Sequence, residues 1–207
     1  MELTQAHRDA LRDILLWRRD VRHFLPVSVP SEVLDRLRKA MDFAPSVGNA
    51  RPWRVLHVKS ADRRDAVTRN FEAANARAAK IYRNQQRDAY HALKLAGLRD
   101  APVHLAVFTD TAPAAGHGLG RQTMPEMLNY STVAAIHTLW LAARAENLGV
   151  GWVSILEPEA VARALDAPES WQLTGYLCLG KAASDDDTPL LHREAWQSNA
   201  ETSWQEI

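Results

Sequence analysis

A single cysteine among 207 residues rules out an intrachain disulfide, so the fold has to hold without covalent staples, as proteins of a reducing cytosol do. Cys178 lies in the apolar run Tyr176-Leu177-Cys178-Leu179 and reads as a small buried hydrophobe rather than a nucleophile. Net charge is missing too. Lys plus Arg and Asp plus Glu balance at 25 each, which removes the long-range field that draws a protein to nucleic acid or an anionic membrane. An anion site must therefore be a local cluster. No long hydrophobic run exists either. The longest uncharged stretch, Met127 to Ala143, contains Asn129, Ser131, Thr132, His137 and Thr138, and reads as a core helix rather than a membrane span. Met1 to Asp9 carries no apolar signal core, so a cytoplasmic location is expected.

Metal and nucleotide motifs are lacking as well. Eight histidines are scattered without companion cysteines or a paired-histidine helix, and no metal site is expected. Gly116-His117-Gly118-Leu119-Gly120-Arg121 begins like a dinucleotide fingerprint, but Arg121 stands at the third glycine's place and no helix follows promptly. His104 and His137 fall in apolar elements and read as hydrogen-bonded core residues. Asp185, Asp186 and Asp187 read as a solvated turn.

What is present suits one domain over residues 1–207, with 46% apolar residues and seven tryptophans to fill a core. Helical spacing runs from about Thr4 to Arg19 through Leu11, Ile14 and Leu15. It recurs from Ser31 to Phe43, with Ser31 as expected N-cap. Residues 62–98 are polar and helix-favouring, and their length predicts a break near Arg83 to Arg87. Pro125 is expected to open the core helix and Gly149 to cap it. Strands are expected at 53–59, 103–109, 151–156 and 173–179, with a short helix at 157–165. That order lacks a strict strand–helix–strand rhythm and predicts an α+β sandwich. Residues 181–207 form a polar arm carrying Trp196 and Trp204. It lies either against a partner subunit or back on its own domain.

Three segments could carry chemistry. Arg18-Arg19-Asp20-Val21-Arg22 is expected at the end of the first helix, where i,i+3 and i,i+4 spacing would let Arg18, Arg19 and Arg22 converge on a phosphate. Basic residues also suit any last helical turn, so the cluster alone does not decide. Between helix and strand, Pro45, Ser46, Gly48 and Asn49 belong to a stiff loop whose backbone and side chains suit the polar edge of a planar heterocycle, although an ordinary turn would look the same. Gly149-Val150-Gly151-Trp152-Val153-Ser154 would let a flat ligand approach the backbone, with Ser154 offering a hydroxyl.

Taken in order, an Arg-Arg-x-x-Arg segment, an Ala-Pro-Ser loop ending in Pro52-Trp53, and the glycine-rich strand resemble the nitroreductase family. The likeness runs from about Arg18 to Gly180 and includes Leu119-Gly120-Arg121, Tyr130-Ser131-Thr132-Val133, Leu93-Lys94-Leu95 and Leu139 to Glu146. It implies a nitroreductase-like fold, with an antiparallel or mixed sheet flanked by helices. It further implies a homodimer binding FMN at its interface, with the C-terminal arm exchanged between subunits. Within the family the chain is most similar to the flavin-destroying branch. There, reduced FMN is both cofactor and substrate and is fragmented with O2 to 5,6-dimethylbenzimidazole and erythrose 4-phosphate, for cobalamin biosynthesis. That resemblance implies catalytic roles for Asp20 and Ser154. It implies flavin contacts from Arg18, Arg19, Asp20, Arg22, Pro45, Ser46, Gly48, Asn49, Leu95 and Ser154, and a lid over Tyr82 to Leu95. NAD(P)H would then be an indirect reductant, acting through a separate flavin reductase. The alternatives are an NAD(P)H-dependent FMN reductase of nitro compounds or quinones, and a non-catalytic flavin-binding protein. The chain departs from the family pattern at Asn49 and Arg51, and its arm, with Lys181 and Arg193 as candidate phosphate contacts, matches least.

Overall fold

A computed structural model describes residues 1–93 and 97–207. Four strands form one antiparallel sheet: β1 (Trp53–His57), β2 (Val103–Asp110), β3 (Gly149–Val153) and β4 (Trp171–Gly180), in the spatial order β1-β2-β4-β3. Seven α-helices surround it among the described residues: α1 (Gln5–Trp17), α2 (Ser31–Met41), α3 (Ala61–Ala78), α4 (Asn84–Ala92), α5 (Met127–Ala145), α6 (Pro158–Ala164) and α7 (Leu190–Arg193). This is the expected α+β architecture. β2 is buried along nearly its whole length, as a central strand covered on both faces must be.

Period-two alternation splits the core in two. Val103, Leu105, Val107, Leu177 and Leu179 face α2 and α5, joining Leu37, Met41, Ile136 and Leu139. Ala106, Phe108, Tyr176 and Cys178 face the other way, with Val67 of α3 and Val161 of α6. Cys178 is fully buried, and burial pushes its thiol up to about 12, so it is inert packing, as expected.

Several element ends differ from the sequence patterns. α1 stops at Trp17, and Arg18 is already extended at ψ 110. Pro30, not Ser31, holds the N-cap position of α2. α5 is closed not by Gly149 but by Asn147, which takes the left-handed conformation at φ 58. The Leu148 amide then returns to Ala143 O at 2.8 Å and the Asn147 amide to Arg144 O at 2.9 Å, the usual way of satisfying last-turn carbonyls. Gly149 is left free to begin β3. The break expected in residues 62–98 falls between α3 and α4, where a 3-10 turn at Ala79–Ile81 intervenes.

The two histidines part company. His137 is exposed, on the outer side of α5, against expectation. His104 is buried between Ala101 O at 3.2 Å and the Tyr176 hydroxyl at 3.0 Å. A carbonyl can only accept, so Nε2 carries the proton and Nδ1 accepts from Tyr176. Burial first, then the nearby Arg64 cation, lower His104 from 6.5 to about 4. Its folded value is depressed, so the unfolded chain binds the extra proton. Stability present above 6.5 is therefore lost as pH falls toward about 4. Denaturant midpoints measured across that window should decline, and His104→Gln, although less stable throughout, should flatten the decline. An unchanged slope in the variant would remove His104 as its cause.

The Asp185–Asp187 turn is more tied down than expected. Asp185 pairs with Arg144 at 2.8 Å and Asp186 with Arg193 at 3.0 Å, while Asp187 accepts from the Thr188 hydroxyl at 2.9 Å. Among the described residues no helix is long and apolar enough to cross a membrane.

Candidate functional site

The arginine segment leaves α1 and runs alongside the open edge of β3. Asp20 forms a parallel bridge with Val150, and the Val21 amide donates to Val150 O at 3.0 Å. β3 admits this neighbour because Gly151 has no side chain: a Cβ there would overlap the Val21 carbonyl oxygen and sit 3.8 Å from Asp20 Oδ1.

Asp20 is held at both oxygens. Oδ1 accepts from the Trp152 amide at 3.0 Å, and Oδ2 accepts from Arg22 Nε at 2.9 Å. The Arg22 side chain is 11% exposed and that of Asp20 36%, so the pair is inset yet open to a ligand. A carboxylate fixed by one backbone and one charged donor keeps a defined orientation. Ser154 follows directly after β3 and is exposed, further along the same strand edge.

The helical convergence expected of the three arginines is corrected by the structure. Because α1 ends at Trp17, helical spacing does not apply beyond it, and each guanidinium has a partner of its own. Arg18 lies over the Trp140 ring, 4.7 Å from its centroid. Arg19 donates from Nη2 back to Leu16 O, and Arg22 holds Asp20. Burial, helped by the Arg19 cation and opposed by Asp20, pulls the Arg18 guanidinium below its ordinary value. Arg19 Nε is buried without a hydrogen-bond partner, a donor left waiting for an acceptor. An anionic phosphate oxygen would complete it, so the segment fits an FMN tail.

The second segment forms a tight loop. Ser46 precedes a 3-10 turn at Val47–Asn49 and accepts from the Arg51 amide at 3.1 Å. Gly48, Asn49 and Arg51 are all left-handed, at φ 55, 53 and 45. For Gly48 this conformation is free, and its missing Cβ also makes room for the Gly116 and Leu119 carbonyls. The Val47 amide donates to Ser131 Oγ at 3.0 Å. Pro45 and Asn49 are exposed. The glycine cluster at 116–120, dismissed as a nucleotide motif, thus buttresses this loop. Arg51 faces Asp42 at 3.9 Å. Leu95 lies outside the described residues.

One chain does not bring the two segments together. Arg18 to Arg22 and Ser154 sit at the β3 edge, whereas Pro45 to Asn49 precede β1 at the opposite edge. Three strand spacings, roughly 14 Å, separate β1 from β3, and the arginine segment lies beyond β3. α5 gives a similar measure, because Ser131 supports the loop while Trp140 lies under Arg18, about 13 Å along the helix. Trp140 and Trp152 lie within segments singled out above, but their contacts with the arginine segment and with each other are not evident from the sequence. Trp140 donates to Arg19 O at 3.3 Å and packs on Trp152 at 6.3 Å, a contact between α5 and β3 that exists only after folding.

Apolar side chains around these half-sites lack cover. α1 buries none of its residues and exposes Leu11, Leu15, Leu16 and Trp17, while Phe43 is 85% exposed and Tyr130 and Val133 of α5 also face outward. In the arm, Trp196 packs on Tyr82 and Tyr90 of its own chain, and Trp204 is 90% exposed.

Residues 15–181 match the model of the Nitroreductase family. A 5,6-dimethylbenzimidazole synthase of Rhodobacter capsulatus is 58% identical over 205 residues, covering 99% of each chain. Another, from Rhodospirillum rubrum, is 50% identical over 193 residues, covering 93% of this chain and 92% of its own. Among solved structures, iodotyrosine deiodinase bound to FMN and 3-iodo-L-tyrosine superposes with a TM-score of 0.72 at 21% identity, over 95% of this chain and 96% of that one. A nitroreductase family protein of Clostridium difficile gives 0.68 at 16% identity, over 94% and 98%. At those identities the structural likeness speaks for the fold.

Proposed function

The chain belongs to the nitroreductase family, and from that premise we propose that it carries out the reaction of its synthase relatives, fragmenting reduced FMN with O2 to 5,6-dimethylbenzimidazole and erythrose 4-phosphate. The observation that carries the reading is Asp20, an inset carboxylate fixed by the Trp152 amide and Arg22. A simple hydride-transferring flavoprotein has no need of such a group beside the flavin's sugar chain, whereas breaking ribityl and ring bonds requires proton transfers.

Bound reduced FMN supplies the electrons that O2 takes up. The protein's part is to hold, orient and move protons. Arg19 Nε, Arg18 and Arg22 grip phosphate and ribityl oxygens, with Lys181 or Arg193 as further candidates. Pro45, Ser46, Gly48 and Asn49 fix the pyrimidine edge. Asp20 accepts or returns a proton at a carboxylate oxygen, and Ser154 offers its hydroxyl near the ring.

The separation of the half-sites gives the oligomer a chemical role. A homodimer that buries the α1 and α5 faces would bring the Asp20 edge of one copy to the Ser46 loop of the other, completing an FMN site at the interface. The arm beyond Asn199 is exposed and would be the part that crosses to the partner. NAD(P)H acts indirectly, through a separate flavin reductase, and the enzyme works in the cytoplasm.

The test is to supply FMN, a flavin reductase, NADH and O2 and follow 5,6-dimethylbenzimidazole by mass spectrometry. Product is expected. Its absence with reduced flavin bound would end this reading. Turnover of nitro compounds or quinones in its place would favour an ordinary reductase, and tight binding without consumption a flavin carrier.

A further inference from the structure

α4 has little with which to hold its place. The helix reads Asn84-Gln85-Gln86-Arg87-Asp88-Ala89-Tyr90-His91-Ala92, and Tyr90 is its one buried residue. A helix with a single apolar anchor is only as secure as the pocket that receives it. Tyr90 stacks on Tyr82 with ring centroids 4.8 Å apart and donates its hydroxyl proton to Asn75 Oδ1 at 2.5 Å. The remaining wall comes from the other end of the chain. Trp196 meets Tyr82 edge-on at 5.3 Å and lies tilted against Tyr90 at 6.2 Å.

Trp196 is delivered there by a built turn. Ala195, two residues after α7, is left-handed at φ 52, and the Trp196 and Gln197 amides fold back to Leu191 O at 2.9 and 3.1 Å. Arg193 is tied to Asp186 at 3.0 Å, and the Asn199 amide donates to His192 Nδ1 at 3.0 Å. Together these bonds set the indole against α4, while residues 198–207 beyond it stay exposed. Aromatic rings combine large contact area with preferred stacked and edge-on geometries, so this three-ring cluster is specific as well as apolar.

We propose that Trp196 is a positioning residue that latches α4, so that the C-terminal segment sets how tightly flavin is enclosed during the reaction. This rests on the resemblance described above, which implies a lid over the flavin from Tyr82 to Leu95, the span in which α4 lies. The latch touches no reacting atom. It acts by keeping the cover shut while flavin and its fragments are held, and local opening of such an element governs ligand escape.

The test compares wild type, Trp196→Ala and Trp196→Phe as purified holoenzymes whose circular dichroism spectra and melting temperatures establish that each is folded. Hydrogen exchange at the α4 amides and FMN dissociation are followed on the same samples. Trp196→Ala should speed α4 exchange and FMN release by about tenfold each, with Trp196→Phe close to wild type because a ring remains. Unchanged α4 exchange in the alanine variant overturns the latch. Faster exchange with unaltered FMN release also overturns it as a control on enclosure. Failure of wild type to bind FMN at all would instead overturn the underlying functional reading, and is seen before any variant is made.

Discussion

Asp20→Asn is expected to keep near-wild-type affinity for FMN and to form 5,6-dimethylbenzimidazole at least about a hundredfold more slowly, the lower range for losing a general acid or base. The substitution preserves shape and removes one acceptor. In the native protein the two carboxylate oxygens serve two donors, the Trp152 amide at 3.0 Å and Arg22 Nε at 2.9 Å. An amide has one oxygen for those two donors, so its NH2 must face one of them. The segment stays docked, because the Val21 to Val150 hydrogen bond does not involve the side chain. Flavin titration by fluorescence and product analysis by mass spectrometry separate the outcomes. Loss of FMN binding in step with product would make Asp20 a binding residue and withdraw its catalytic assignment.

This expectation depends on Arg18 to Arg22 lying extended along β3, which the sequence did not disclose. Helical spacing in the sequence continues to Arg19, although α1 ends two residues earlier, because an arginine after the last turn looks the same as one within it. Element identity was legible elsewhere because the patterns were strong. The largely apolar β2, the apolar run of β4 and the charge-poor α5 each had one reasonable interpretation. Ends were less so: whether Asn147 or Gly149 takes the left-handed position is decided by where β3 must begin. The individual site segments were visible as Arg-rich, Pro-Ser-Gly and Gly-rich stretches, and the resemblance to nitroreductases gave them a common purpose. That they occupy opposite edges of the sheet could not be read, since strand order is a property of the folded sheet. Nor could Trp140 beneath Arg18, or Trp196 against the α4 tyrosine, because both contacts join elements far apart in sequence.

The close approach of the Asp20 segment to β3 yields the other large effect. Gly151→Ala should lower stability by about 1–3 kcal/mol, the usual cost of forcing atoms into a filled site, and should depress product formation well beyond what the stability loss explains. The new methyl would meet the Val21 carbonyl oxygen, a backbone atom that cannot rotate aside as a side chain can. The segment must lift from β3, and Asp20, whose Oδ1 lies 3.8 Å from the same point, must move with it. Gly149→Ala is the matched control. Its methyl would press on the Val21 side chain rather than the carbonyl, so repacking can absorb it without displacing the Asp20 peptide. Urea midpoints should therefore fall in both variants, while product per folded enzyme collapses chiefly in Gly151→Ala. Equal activity in the two at matched folded fraction would mean that the seating of Asp20 on β3 does not govern the reaction, because the carbonyl collision is what distinguishes them.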